Sequence, residues 1–125
     1  MRADTDPAAA REGYLSVGKT AVEYASYLHS TFELPILLAY LAVSSHGGWE
    51  AEQAAAISEL GAHRAALRNA GVFGVMYFQL YDDPAHVGYF GDAEPHFGLL
   101  RADGTAKPAL QAFRALKDPL HTGRR

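Results

Sequence analysis

Cysteine is absent from this chain. Disulfides and thiolate metal sites are therefore excluded, while the redox compartment stays open. Tryptophan occurs once, at Trp49, so any indole contact has to be made there. No apolar run approaches the roughly 20 residues of a membrane-spanning helix, and no membrane partner is expected. Basic charge is scarce as well: 11 Lys and Arg against 14 Asp and Glu leave a formal net charge of −3. That balance argues against nucleic acid and anionic lipid, which both select basic patches. The opening MRADTDPAAAREG has no apolar stretch and carries acids where a signal peptide would carry bases. With Met1 as the true start, this predicts a cytoplasmic protein.

What is present suits one globular domain. Hydrophobic residues make up 49% and charged residues 20%, an ordinary mixture for a packed protein. At this length about two-thirds of the surface of the unfolded chain would be buried. Residues 1–13 read as a flexible lead-in, 14–118 as the folded part and 119–125 as a disordered tail. From Val17 the apolar positions Ala21, Tyr24, Ala25, Leu28 and Phe32 recur at helical spacing. Ser16 is placed to cap that helix, and Tyr24 and Tyr27 are expected to pack.

Two apolar runs follow. Leu34 to Val43 is nearly continuous, with Pro35 at one end and a Ser-Ser-His-Gly-Gly loop at the other, which favours a strand buried on both faces. Val72 to Leu80, rich in β-branched and aromatic residues, reads as a second such strand. Between them Glu50 to Ala70 has the composition of a long helix, with Ala56, Ile57, Leu60, His63 and Leu67 on one stripe. Asn69-Ala70-Gly71 supplies its stop. After the second strand come a long loop to about His96, a short apolar segment at Phe97 to Leu100, a turn at Ala102-Asp103-Gly104, and a last helix starting at Pro108. Strands alternating with helices predict a parallel α/β arrangement. Two parallel strands that are apolar on both faces leave unpaired edges, so a second copy of the chain or an upstream segment is expected to cover them.

Few residue patterns carry chemistry by themselves. Gly71-x-x-Gly74 enters a strand, whereas a phosphate-binding loop leaves one, and no nucleophile elbow occurs. His86, Asp92, Glu94 and His96 crowd one loop, but their spacing matches no zinc motif. Neither a metal nor a cofactor is expected.

Three stretches taken in order do resemble a known family. They are Leu34-Pro35-Ile36-Leu37-Leu38-Ala39-Tyr40-Leu41-Ala42, His46-Gly47-Gly48-Trp49-Glu50-Ala51-Glu52-Gln53-Ala54, and Ala70 to Asp83 followed by Gly98-Leu99-Leu100, Asp103-Gly104 and Lys107-Pro108-Ala109. Together they look like the C-terminal part of a clan-A type glycoside hydrolase. The resemblance implies a partial TIM (β/α)8 barrel, roughly the last two β/α units with the preceding helix.

It also implies where chemistry would sit. Retaining glycoside hydrolysis uses two carboxyl groups about 5 Å apart, one as nucleophile and one as acid/base. The family's nucleophilic Glu falls at position 40, where this sequence has Tyr40. A phenol carries no fixed charge at neutral pH. The acid/base Glu belongs to the fourth strand, outside the part resembled. The expectation is an O-glycosyl-hydrolase-like barrel fragment that resembles a glycosidase but is inactive as this chain. The alternative is a non-catalytic carbohydrate-binding or homo-oligomeric interaction module. Because such barrels work at the C-terminal ends of their strands, Tyr40, Ser45, His46 and Trp49 after one strand, and Gln79, Tyr81, Asp82 and Asp83 after the next, would face the sugar. Trp49 and Tyr81 would stack on it and Asp82 would bind hydroxyls. The plainer reading is that Trp49 packs over the helix start and Asp82-Asp83-Pro84 makes a turn.

Overall fold

The structure is a computed structural model that describes residues 6–117. Its elements in order are α1 (Pro7–Leu15), α2 (Val17–Phe32), β1 (Ile36–Leu41), α3 (Glu50–Ala62), α4 (Arg64–Asn69), β2 (Val72–Tyr77) and α5 (Pro108–Arg114). Short 3-10 turns at His46–Gly48 and Gly91–His96 complete it. This is a mixed α/β arrangement whose sheet has two strands, β1 and β2, paired in parallel. No helix among the described residues is long and apolar enough to cross a membrane.

The chain is helical earlier than expected, and residues 7–13 are not a loose lead-in. Asp6 accepts a hydrogen bond from the Ala8 N–H through its side chain, and Pro7 occupies the first helical position. That combination starts a helix without needing the proline's missing N–H, and Ala8 to Ala10 carry it on. Ser16 does precede α2, but its hydroxyl donates to the Gly13 carbonyl and does not cap. The tail expected over 119–125 lies outside the described residues.

The long helix expected between the strands is broken at His63, which has φ −94° and ψ 10° and separates α3 from α4. Its imidazole turns back onto the Glu59 carbonyl and carboxylate. The Glu59 carboxylate in turn accepts the Gly18 N–H at the start of α2. Gly71 ends α4 in the left-handed region at φ 82°, and a Cβ there would collide with the His29 ring of α2. A glycine is required by both conditions.

The core lies on one side of the sheet. Ile57 of α3, Leu99 and Ala109 of α5 form its buried centre, and Tyr77, Leu110, Phe113 and Leu116 pack around them. Burying Ile57 alone is worth about 1.5–3 kcal/mol. The strands are not buried on both faces: Leu37, Phe73 and Met76 are exposed. Tyr24 and Tyr27 do not pack either, being 68% and 66% exposed. The reason is geometric. Helix α2 meets α3 along Gly18 and Ala25, which turns its aromatic positions away from the core.

Candidate functional site

β1 ends in a bulge that no residue pattern announced. Leu38 pairs with Val75 and Leu41 with Tyr77, so β1 spends one residue more than β2 over the same stretch. The extra length is absorbed at Tyr40, whose φ is 69°. A non-glycine residue in this left-handed region costs roughly 1–2 kcal/mol. The ladder resumes immediately, the Phe78 N–H donating to the Leu41 carbonyl at 2.9 Å. A bulge of this kind re-aims a side chain. The Tyr40 ring stacks on Phe78 with centroids 4.6 Å apart and stays 60% exposed. Phe78 meets Phe97 edge-on at 6.3 Å.

Beneath the strand ends lies a polar framework. Gln53, fully buried on α3, donates its amide to the Val43 carbonyl at 2.8 Å, the Gly98 carbonyl at 3.1 Å and the Tyr77 hydroxyl oxygen at 3.1 Å. Tyr77 donates to the same Val43 carbonyl at 3.0 Å, and burial pushes its phenol up to about 12. Lys107, also buried, donates to Asp82 Oδ1 at 2.7 Å, Ser45 Oγ at 2.8 Å and the His96 carbonyl at 3.4 Å. Asp82 Oδ1 takes the Gly98 N–H as well, at 2.8 Å. Position 98 has room only for glycine, because a Cβ would run into the backbone of Asp82 and Leu100. Arg101 closes the frame with a two-pronged contact to Glu50, 2.9 Å from Nε and 2.7 Å from Nη2. Glu50 sits in the first turn of α3, where the helix dipole favours a negative charge.

Above this framework is a cavity of about 810 Å³. α1 forms one wall through Ala10, Gly13 and Tyr14; the end of β1 supplies Tyr40 and Ala42 to Ser44; His46 and Trp49 follow, and Phe90, Asp92 and Phe97 close the far side. Tyr14 donates to the Ser44 carbonyl at 2.6 Å, and its ring lies 5.4 Å from that of Trp49. Burial, with the charge of Glu52 added, raises the Tyr14 phenol above its ordinary value. Arg11 stands over Trp49 at 5.7 Å and pairs with Glu52 at 3.3 Å. Cavities of this size with apolar walls and few polar groups are where small ligands bind.

Of the eight residues expected to face a ligand, the structure brings Tyr40, His46 and Trp49 to this cavity. Ser45 and Asp82 are committed inside the fold to Lys107, so Asp82 does not stand free to bind hydroxyls. Asp83 accepts the Ala85 N–H at 3.0 Å and makes a local turn. Tyr81 is exposed and bridges Leu100 through its backbone. The Gln79 side-chain nitrogen is buried without a partner among the described residues. In the loop, Glu94 is buried, accepting the Phe90 N–H, with its second oxygen 3.3 Å from His86. His96 lies 5.2 Å from His46 instead. Among the described residues no three such groups converge on one point.

Tyr14, Phe90, Asp92 and Phe97 are cavity residues outside the expected ligand-facing set, and Tyr14 comes from a helix that was not expected. The Asp6-Pro7 start signal could have revealed its helix, though nothing local says what that helix packs on. Gln53 and Lys107 stood in the quoted motifs, and their service as internal donors follows only from where other segments bring acceptors. No family model, curated protein or solved structure matches this chain.

Proposed function

We propose that this chain is a glycoside-hydrolase-like barrel segment, two β/α units with the helix before them, that binds carbohydrate without hydrolysing it. The observation that carries the reading is Tyr40. At the strand end where the resembled family presents its nucleophilic carboxylate, this chain holds an exposed phenol on a bulge, stacked on Phe78. Asp92 is the single carboxylate among the described residues that line the adjoining cavity, whereas retaining hydrolysis uses a pair. The motif residues support the fold side of the reading. Glu50, Gln53, Gly98 and Lys107, with Arg101 beside the motif, are the groups that tie loops to strand ends, a role independent of any catalytic pair. The rings of Tyr14, Tyr40 and Trp49 offer flat apolar faces of the kind pyranose rings stack on.

The test pairs turnover with binding. The wild-type chain and Tyr40→Glu are expected to release no aryl leaving group from a panel of aryl glycosides. Titration against a broad glycan set should give saturable binding that Trp49→Ala removes. Measurable turnover by the wild type, or flat titrations throughout, would overturn the reading.

A second reading, a self-associating module, is favoured by the sheet. Each strand has one edge unpaired among the described residues, next to exposed Leu37, Phe73 and Met76 and the aromatic flank of α2. Light scattering decides it: a dilute monomer with native-like circular dichroism eliminates self-association.

A further inference from the structure

We infer that the cavity at the end of β1 prefers a carbohydrate bearing a protonated amino group over its neutral counterparts. The inference rests on the reading that this site takes carbohydrate, and names the class. Among the described residues the lining contains no Lys or Arg, and Asp92 is its only carboxylate. Asp92 is exposed and makes no hydrogen bond or ion pair with another described residue.

Two of the other polar side chains at the wall, Ser44 and Tyr14, are occupied within the fold. The Ser44 hydroxyl donates to the Ala93 carbonyl at 2.9 Å and accepts the His46 N–H at 3.1 Å, and the Ser44 carbonyl takes the Tyr14 hydroxyl. The hydroxyls of a neutral ligand can hydrogen-bond to Asp92 but form no ion pair with it. An ammonium has one strong partner in Asp92. It is also attracted by the faces of aromatic rings, and Tyr40, Trp49 and Phe90 line the same cavity. Arg11, the cation that lies over Trp49, is already paired with Glu52 and leaves the charge of Asp92 uncancelled.

Calorimetric titration of the full chain with trisaccharides of glucosamine, N-acetylglucosamine and glucose, near neutral pH and at low salt, tests this. The glucosamine trimer is expected to bind about tenfold more tightly than the other two, as one partly screened charge pair allows. The preference should shrink in high salt and vanish in Asp92→Asn, whose fold is checked by circular dichroism. Equal affinities for all three, or a preference that survives in Asp92→Asn, overturn the inference and leave the carbohydrate reading standing. Binding of none of them overturns the inference, and flat titrations across the broad glycan set overturn the carbohydrate reading as well.

Discussion

Asp82→Asn should show that the charge under the strand ends holds the fold together. Lys107 and Asp82 keep only 1% and 12% of their side-chain surface, so water cannot substitute for either partner. Removing one member of a buried ion pair costs about 3–5 kcal/mol, because the remaining charge is left uncompensated. Here the loss is tempered: the ammonium keeps Ser45 Oγ at 2.8 Å and the His96 carbonyl at 3.4 Å. An asparagine can still accept the Gly98 N–H that Asp82 accepts at 2.8 Å. We therefore expect Asp82→Asn to cost about 2–3 kcal/mol, and Asp82→Ala about 1 kcal/mol more for the lost acceptor. Against a total stability of roughly 0.05–0.15 kcal/mol per residue, either change is large. The decisive arm is Asp82→Asn with Lys107→Met, which removes the orphaned charge and should recover to within about 1 kcal/mol of wild type. Urea unfolding followed at the helical circular-dichroism band reads all three. A single-variant loss below about 0.5 kcal/mol, or a double variant no better than the single, refutes the argument.

Three further outcomes follow from the same geometry. Tyr77 has its phenol pushed up to about 12 by burial, so its contribution is complete below the unfolded value near 10 and is lost as pH rises from there through about 12. The expected fall is roughly 2–3 kcal/mol, and in Tyr77→Phe melts across this window should lose that part of the decline. Gly71→Ala combines a left-handed φ with a clash on His29 and should destabilise by more than the roughly 1 kcal/mol of the conformational penalty alone; an unchanged urea midpoint would refute it. Tyr40→Gly relieves the φ of 69° and should raise stability by up to about 1 kcal/mol, less whatever the ring gains on Phe78, with a marked loss of stability as the contrary result.

The alternation of elements was legible because each carries its own local signal. Leu34 to Val43 and Val72 to Leu80 are apolar without polar alternation, and β1 and β2 fall inside them. Pro108 begins a helix and Gly71 ends one, since fixed φ and positive φ are properties of single residues. The site was less legible. Trp49, His46 and Tyr40 reach the cavity, but Ser45 and Asp82 do not, because a buried lysine from 25 positions beyond Asp82 claims them. Nothing within a few residues of Asp82 reveals that.

Composition, periodicity and turn residues thus determined by themselves the two strands, the helices between and after them and the parallel α/β arrangement, though not α1 or the break at His63. The sequence also places a phenol, Tyr40, near the end of the first apolar run. Tertiary structure alone decided which groups remain free for a ligand. A hydrogen-bonding side chain is consumed by whatever partner the fold carries to it, and Lys107, Gln53 and α1 come from segments distant in the chain. It also decided the bulge at Tyr40, which is a property of how β1 pairs with β2 and not of any residue by itself.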